Sequence, residues 1–276
     1  MVTRREFLRL GAAASGALAL EPCAAAGLGD GKNGRDGSAL LKGEDDFHFV
    51  VVNDLHYRDA QCAPWFERVT ASIRNLRPRP AFVMLAGDLS ESGLSEQLGA
   101  VHEIFRVLPM PVHSVVGNHD CTEQGDFSVY RSIYGPVFNY QFHCGDWQFL
   151  AFDSTQGPEV FWTKISNDSL AWLDQVKPSL SRERPLVLLT HFPLGRNWLR
   201  PRNARLVMER LRGYNVQATL GGHWHGITEF AERGIHLSTN RCCSWWRTNH
   251  DGSPLKGYAL CRVRGGKLTH EFQAVV

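Results

Sequence analysis

The stretch Val112 to Asp120 reads VHSVVGNHD. Its first five residues carry three valines, and a short β-branched run stopped by glycine has the composition of a buried strand. The next four change character at once. Gly117 permits a sharp turn, and Asn118, His119 and Asp120 then present an amide, an imidazole and a carboxylate. In open α/β sheets ligands bind beyond the carboxyl ends of strands, where this sequence puts those groups. Four other apolar runs end the same way. Phe47–Val52 leads into Asn53-Asp54-Leu55-His56, and Ala81–Ala86 into Gly87-Asp88. Leu186–Thr190 leads into His191-Phe192-Pro193, and Val216–Leu220 into Gly221-Gly222-His223-Trp224-His225.

The intervening segments fix the class. Phe66, Val69, Ile73 and Leu76 recur at helical spacing, as do Leu94, Leu98, Val101, Phe105 and Leu108. Further helices are expected over Asp168–Leu180 and over Arg202–Leu211, where Ala204, Val207, Met208 and Leu211 share a face. Strand–helix–strand alternation predicts parallel pairing in an α/β domain. Three pairs read instead as hairpins: Phe138–His143 with Trp147–Phe152, Ile227–Ala231 with Ile235–Ser238, and Tyr258–Val263 with Leu268–Gln273. The sheets are therefore expected to be mixed. With no internal repeat and no second linker, residues 44–276 form one domain.

The N-terminus reads differently. Thr3-Arg4-Arg5-Glu6-Phe7-Leu8, a weakly apolar middle from Gly11 to Leu20 and the small residues Ala24–Ala26 describe a secretory signal over residues 1–26. The paired arginines resemble a twin-arginine signal, which implies the twin-arginine export machinery as a partner and a periplasmic or extracellular location. Residues 27–43, rich in glycine and polar groups, read as a flexible linker. No run of 18 apolar residues predicts a transmembrane anchor in the mature chain. Across the 276 residues, 30 Lys+Arg against 28 Asp+Glu leave a net charge of +2, which argues against a nucleic-acid coat role. Cys62, Cys121, Cys144, Cys242, Cys243 and Cys261 contain no CxxC pair, and both disulfides and buried thiols suit an exported chain.

The strand ends together offer Asp54, His56, Asp88, Asn118, His191, His223 and His225. Asp54-x-His56 and His223-x-His225 would place paired side chains on one side of an extended segment. Hard oxygen mixed with imidazole nitrogen suits Mn, Fe or Zn better than Ca or Mg. Seven donors exceed one four-coordinate site and are enough for two ions sharing a carboxylate, the arrangement that clamps in-line displacement at phosphorus.

The ordered series Asp-x-His, Gly-Asp, Gly-Asn-His-Asp, Thr-His-x-Pro and Gly-His-x-His resembles the calcineurin-like metallophosphoesterases, and most of all the bacterial group that includes class III cyclic nucleotide phosphodiesterases. The resemblance implies a four-layer α/β/β/α sandwich with two mixed sheets and a dinuclear centre of two divalent or trivalent transition metals. It implies that Asp54, His56 and His225 hold one ion, that Asn118, His191 and His223 hold the other, and that Asp88 bridges. His119 would be the leaving-group acid, with Asp120 holding its tautomer. Purple acid phosphatases carry a tyrosine three residues after the bridging aspartate; here that position is Glu91, so no tyrosinate charge-transfer colour is expected. The activity implied is hydrolysis of a small phosphodiester by a bridging hydroxide. Alternatives are a phosphomonoesterase or nucleotidase on the same site, and a non-catalytic binding module on the same fold.

Substrate contacts are expected from two places. Arg200 and Arg202 lie among six arginines between residues 196 and 212 and would suit a phosphate, although such runs are usually solvated. The irregular segment 240–254 offers Trp245 or Trp246 for stacking and Arg247 or His250 for an anion. Trp224 serves equally as core or platform, and Asp153 as a site support or a strand cap.

Overall fold

The computed structural model describes residues 46–276. The expected signal and linker, and residues 44 and 45 of the expected domain, lie outside the described residues.

Among the described residues, eleven strands form two sheets. The first has the order β11-β10-β1-β2-β3, built from β1 (Phe47–Val52), β2 (Phe82–Ala86), β3 (Val112–Val115), β10 (Gly257–Arg264) and β11 (Lys267–Ala274). The second has the order β4-β5-β6-β7-β9-β8, from β4 (Tyr140–Cys144), β5 (Trp147–Ala151), β6 (Leu186–Leu189), β7 (Val216–Gly221), β8 (Thr228–Glu232) and β9 (Ile235–Thr239). β1, β2 and β3 pair in parallel, as do β5, β6, β7 and β9 in the other sheet. The antiparallel members are the three expected hairpins, and β10 joins the first sheet beside β1.

Strand alternation explains how the layers meet. Val50, Val52, Val83 and Leu85 face a cluster with Phe66, Val69 and Phe105 of the helices α1 (Ala63–Arg74) and α2 (Ser95–Phe105), and with Tyr130 of α3 (Ser128–Tyr134). Their neighbours Phe49, Val51, Phe82 and Met84 face the second sheet, packing with Phe149, Val187 and Leu189. The outer face of that sheet, Leu150, Leu186 and Leu188, packs with Leu170 and Leu173 of α4 (Asn167–Val176) and Val207 of α5 (Arg205–Arg210). The packing order is thus helix, sheet, sheet, helix. Residues buried on both faces explain why these parallel strands read as continuous apolar runs.

Three local readings differ. The helix expected over Asp168–Leu180 stops at Val176, and Pro178 sits in a following 3-10 turn because it has no N–H to continue the ladder. The helix expected over Arg202–Leu211 shrinks to α5. Asn203 donates to the Ile165 carbonyl at 2.9 Å and accepts from its N–H at 2.8 Å, which holds the preceding residues in turns. α3 was not expected, since two turns of helix give the sequence too little periodicity to show. Cys62, Cys121, Cys242, Cys243 and Cys261 are buried free thiols.

Candidate metal centre

Strand order places the loops after β1, β2, β3, β6 and β7 at one edge, where both sheets contribute. Backbone bonds fasten these loops together: Asp54 N–H donates to Gly87 O at 3.1 Å, and His56 N–H to Asp88 O at 2.8 Å. Asp54 also crosses between sheets, its carboxylate accepting the N–H of His223 at 2.9 and 3.0 Å. Two glycines make the approach possible. A Cβ on Gly87, at φ +82°, would lie 2.5 Å from the His191 ring, and one on Gly222 would lie 2.6 Å from Asp54 Oδ2.

Asp54, His56, Asp88, His223 and His225 all have φ between +48° and +64°. The expectation that each alternate pair projects from an extended segment is therefore corrected. Both pairs sit past their strands in left-handed backbone, a conformation that costs about 1–3 kcal/mol per non-glycine residue and persists where the surroundings enforce it.

The side chains converge in two groups, Asp54-His56-His225 and Asp88-His191-His223, each with ligand atoms within 4.8 Å of one another. Asp88 lies between them: Oδ2 is 3.5 Å from His56 Nε2 and Oδ1 is 3.3 Å from His191 Nε2. Asn118 Oδ1 is 3.1 Å from the same His191 nitrogen. All seven of the expected donors are buried together.

The far side of each imidazole is already engaged. His56 Nδ1 meets Glu91 Oε2 at 2.9 Å, His191 Nδ1 meets Ala86 O at 3.0 Å, His223 Nε2 meets Val160 O at 3.0 Å and His225 Nδ1 meets Thr248 O at 3.3 Å. These acceptors fix the N–H and leave the other nitrogen's lone pair facing inward, as metal-binding histidines are held. His56 Nε2 and His225 Nε2 then face each other at 3.2 Å. A proton on one of them or a metal ion between them reconciles that distance, and bonds of about 2.1 Å to one ion put neighbouring donors about 3.0–3.5 Å apart. The Asn118 amide nitrogen is buried without a partner, which fits an Asn118 whose oxygen serves as a ligand. The donor set fits transition-metal ions.

The electrostatics demand positive charge. Burial alone would raise the Asp54 and Asp88 carboxyls, but His225 and His191 respectively hold both below the usual range. Reciprocally, burial depresses those two imidazoles, yet Asp88 and Asp54 drive His191 up to about 9 and Asp54 drives His225 up to about 11. His223, desolvated and beside His191, falls to about 3. Protons on His191 and His225 occupy the role that metal charge would take.

A cavity of about 140 Å³ opens on this centre, its lining completed by His119, Val160, Arg247, Thr248 and His250. His119 sits in the single turn Asn118–Asp120, its N–H held by Asp88 Oδ1 at 2.9 Å and its ring Nδ1 by Glu91 O at 2.8 Å. Asp120 does not hold that ring, which corrects the role expected for it. Its carboxylate accepts from Ser90 N–H and Gly117 N–H at 2.9 and 2.8 Å and pins the loops together. Burial and the nearby Asp88 raise it to about 7. Asp153 likewise caps its strand, accepting from Thr155 N–H and Oγ1, both at 2.8 Å.

The other expected contacts divide. Arg247 reaches the cavity while forming an ion pair with Glu91. His250 stacks on His225 at 5.2 Å between centroids. Trp246 supports the wall: its indole N–H donates to His56 O at 2.9 Å and its ring lies under Arg58 and Arg247. Trp245 is half exposed and packs near Trp65. Arg200 lines a separate cavity of about 330 Å³ beside Arg205 and Met208, and Arg202 stacks on Trp162. Neither arginine lines the cavity at the centre. The expectations singled out Glu91 only as a departure. It is held below the usual carboxyl range, since His56 and Arg247 outweigh its burial. Val160, whose carbonyl aims His223, gave no signal, because any residue supplies a carbonyl.

Residues 47–226 match the family model for the calcineurin-like phosphoesterase. The chain belongs to that family. It is 28% identical over 169 residues to a probable cyclic nucleotide phosphodiesterase of Moraxella catarrhalis, covering 55% of this chain and 60% of the relative. It is 25% identical over 197 residues to the 3',5'-cyclic adenosine monophosphate phosphodiesterase CpdA of Pseudomonas aeruginosa, covering 69% and 71%. The chain thus spans about 60% of the Moraxella relative's length. Among solved structures it superposes on a dimetal phosphatase from Danio rerio with TM-score 0.63 and 16% identity, covering 83% of this chain and 96% of that one. At that identity the likeness speaks to the fold.

Proposed function

We propose that this family member is an exported phosphodiesterase working through two transition-metal ions. Asp88 carries the reading: one oxygen faces each imidazole group, as a shared ligand requires. Asp54, His56 and His225 would hold one ion, and Asn118, His191 and His223 the other. Mn, Fe or Zn bound there supplies Lewis acidity and a water acidic enough to furnish the nucleophile near neutral pH. The chain's own residues do the rest. Glu91 O accepts from His119 Nδ1–H, which leaves Nε2 as the nitrogen for the departing oxygen; it serves as the acid when the ring carries a second proton, as imidazolium.

Arg247 favours diesters over monoesters. It is the lone arginine or lysine lining the cavity among the described residues, and Glu91 already neutralises it. A singly charged diester needs less compensation than a doubly charged monoester. The relatives named for cyclic nucleotide hydrolysis support the same class. Export rests on residues 1–26, with Arg4-Arg5 ahead of a weakly apolar stretch.

Chelator-stripped protein reloaded with Mn, Fe or Zn and given diester and monoester panels tests the activity. Metal-dependent turnover with diesters preferred is expected; metal-loaded protein inert toward every ester would refute it. Replacing Arg4-Arg5 with Lys-Lys should leave the chain in the cytoplasm, and unchanged export would remove the twin-arginine assignment.

A further inference from the structure

One group of aromatic residues beside the centre is used neither by the core nor by the metal ligands. Phe161 and Trp198 stack at 5.6 Å with 13° between their planes. They are 49% and 65% exposed, so their outer faces meet water. Trp198 stands edge-on to Trp224 at 6.0 Å, Trp224 lies 4.9 Å from His250, and His250 stacks on His225. At the other end Val160, next to Phe161, holds His223 through its carbonyl. The aromatic arc therefore begins and ends on candidate ligands, and both Val160 and His250 line the cavity.

We propose that Phe161 and Trp198 form the subsite for one ester arm of the substrate, and that this arm carries a flat aromatic or heteroaromatic ring. The proposal rests on the phosphodiesterase reading for where phosphorus sits. Neither ring lines the cavity at the centre, and Trp198 borders a neighbouring cavity with Arg196 and Arg200. Val160, adjacent to Phe161, and the contacts of Trp198 through Trp224 to His250 put the stack next to that cavity, within reach of an ester arm of a phosphate held at the centre. Ring geometry makes the occupant flat. Two nearly parallel rings prolong a stack at little conformational cost, whereas a flexible chain is gripped by a groove. Large aromatic faces kept wet next to a reaction centre are the mark of a binding surface.

Calorimetric titration of the Mn-loaded full chain tests this without turnover, using adenosine 5'-monophosphate, hexyl phosphate and methyl phosphate. Adenosine monophosphate is expected to bind about tenfold more tightly than methyl phosphate, with hexyl phosphate near methyl phosphate. Trp198→Ala and Phe161→Ala should erase the advantage while leaving methyl phosphate affinity unchanged, and Trp198→Phe should retain most of it. Equal affinities in the wild type, or an advantage that survives both alanine variants, would overturn the subsite. So would hexyl phosphate matching the nucleotide, or anionic phosphatidylglycerol vesicles binding in its place through the same two residues. Phosphate discrimination in a protein inert to all esters would sustain the subsite and remove the hydrolytic reading. Diester turnover without discrimination would do the reverse.

Discussion

His119 Nδ1 lies 2.8 Å from the backbone carbonyl of Glu91, so the residue that orients the expected acid does so through its main chain. His119→Ala should lower kcat on a diester with a poor leaving group by about 10²–10⁴. Metal content should not change, because the centre keeps its seven donors. Rates paired with metal analysis check this, and an unchanged kcat would end the acid assignment.

The Glu91 side chain has a separate duty toward His56 and Arg247. Glu91→Gln should therefore weaken metal affinity by about 10–100-fold through the loss of a charged acceptor behind His56. The His119 contact survives in that variant. At saturating metal, kcat should recover to near the wild-type value, which distinguishes a metal-affinity defect from lost proton transfer.

Asp120→Asn separates structure from chemistry. An amide cannot accept all the N–H groups that Ser90 and Gly117 direct at this carboxylate, so about 1–3 kcal/mol of stability should go. Thermal unfolding should show the loss. kcat, corrected for the folded fraction, should fall far less than in His119→Ala.

Burial lowers His113, stacked on Phe142 at 4.0 Å, to about 4 from the ordinary 6.5. The unfolded chain takes up a proton as pH falls below 6.5, while the folded chain refuses it until about 4. Stability present above pH 6.5 is thus lost through that window, by about 2 kcal/mol at pH 5. His113→Phe should flatten this part of the curve, as read from urea unfolding at pH 7 and pH 5.

Gly222→Ala should damage the centre with little effect on the core, since its Cβ would strike Asp54 Oδ2 at 2.6 Å. Metal binding measured by calorimetry is expected to drop at least about tenfold, the outcome for a displaced ligand or its support.

The sheets were legible because β1, β2, β6 and β7 are buried on both faces and they and the edge strand β3 end abruptly in polar residues. The hairpins were legible from their glycine-bearing turns. The donors could be named because five strand ends repeat one arrangement. What failed depended on backbone and on distant contacts. Left-handed φ at Asp54 and His223 has no mark in residue types that are common elsewhere. Asp120 stands beside His119 in sequence yet points to Ser90 and Gly117. Phe161 and Trp198 lie 37 positions apart in irregular segments, so no periodicity links them.

The centre draws Asp54, His56, Asp88 and Asn118 from one sheet and His191, His223 and His225 from the other. Metal bound there would therefore rivet the sandwich together as well as serve chemistry. Without metal, protons on His191 and His225 are left to offset Asp54 and Asp88 across the seam between sheets. The rim of that seam, rather than the apolar interior, is where a protease would first find purchase on the stripped protein.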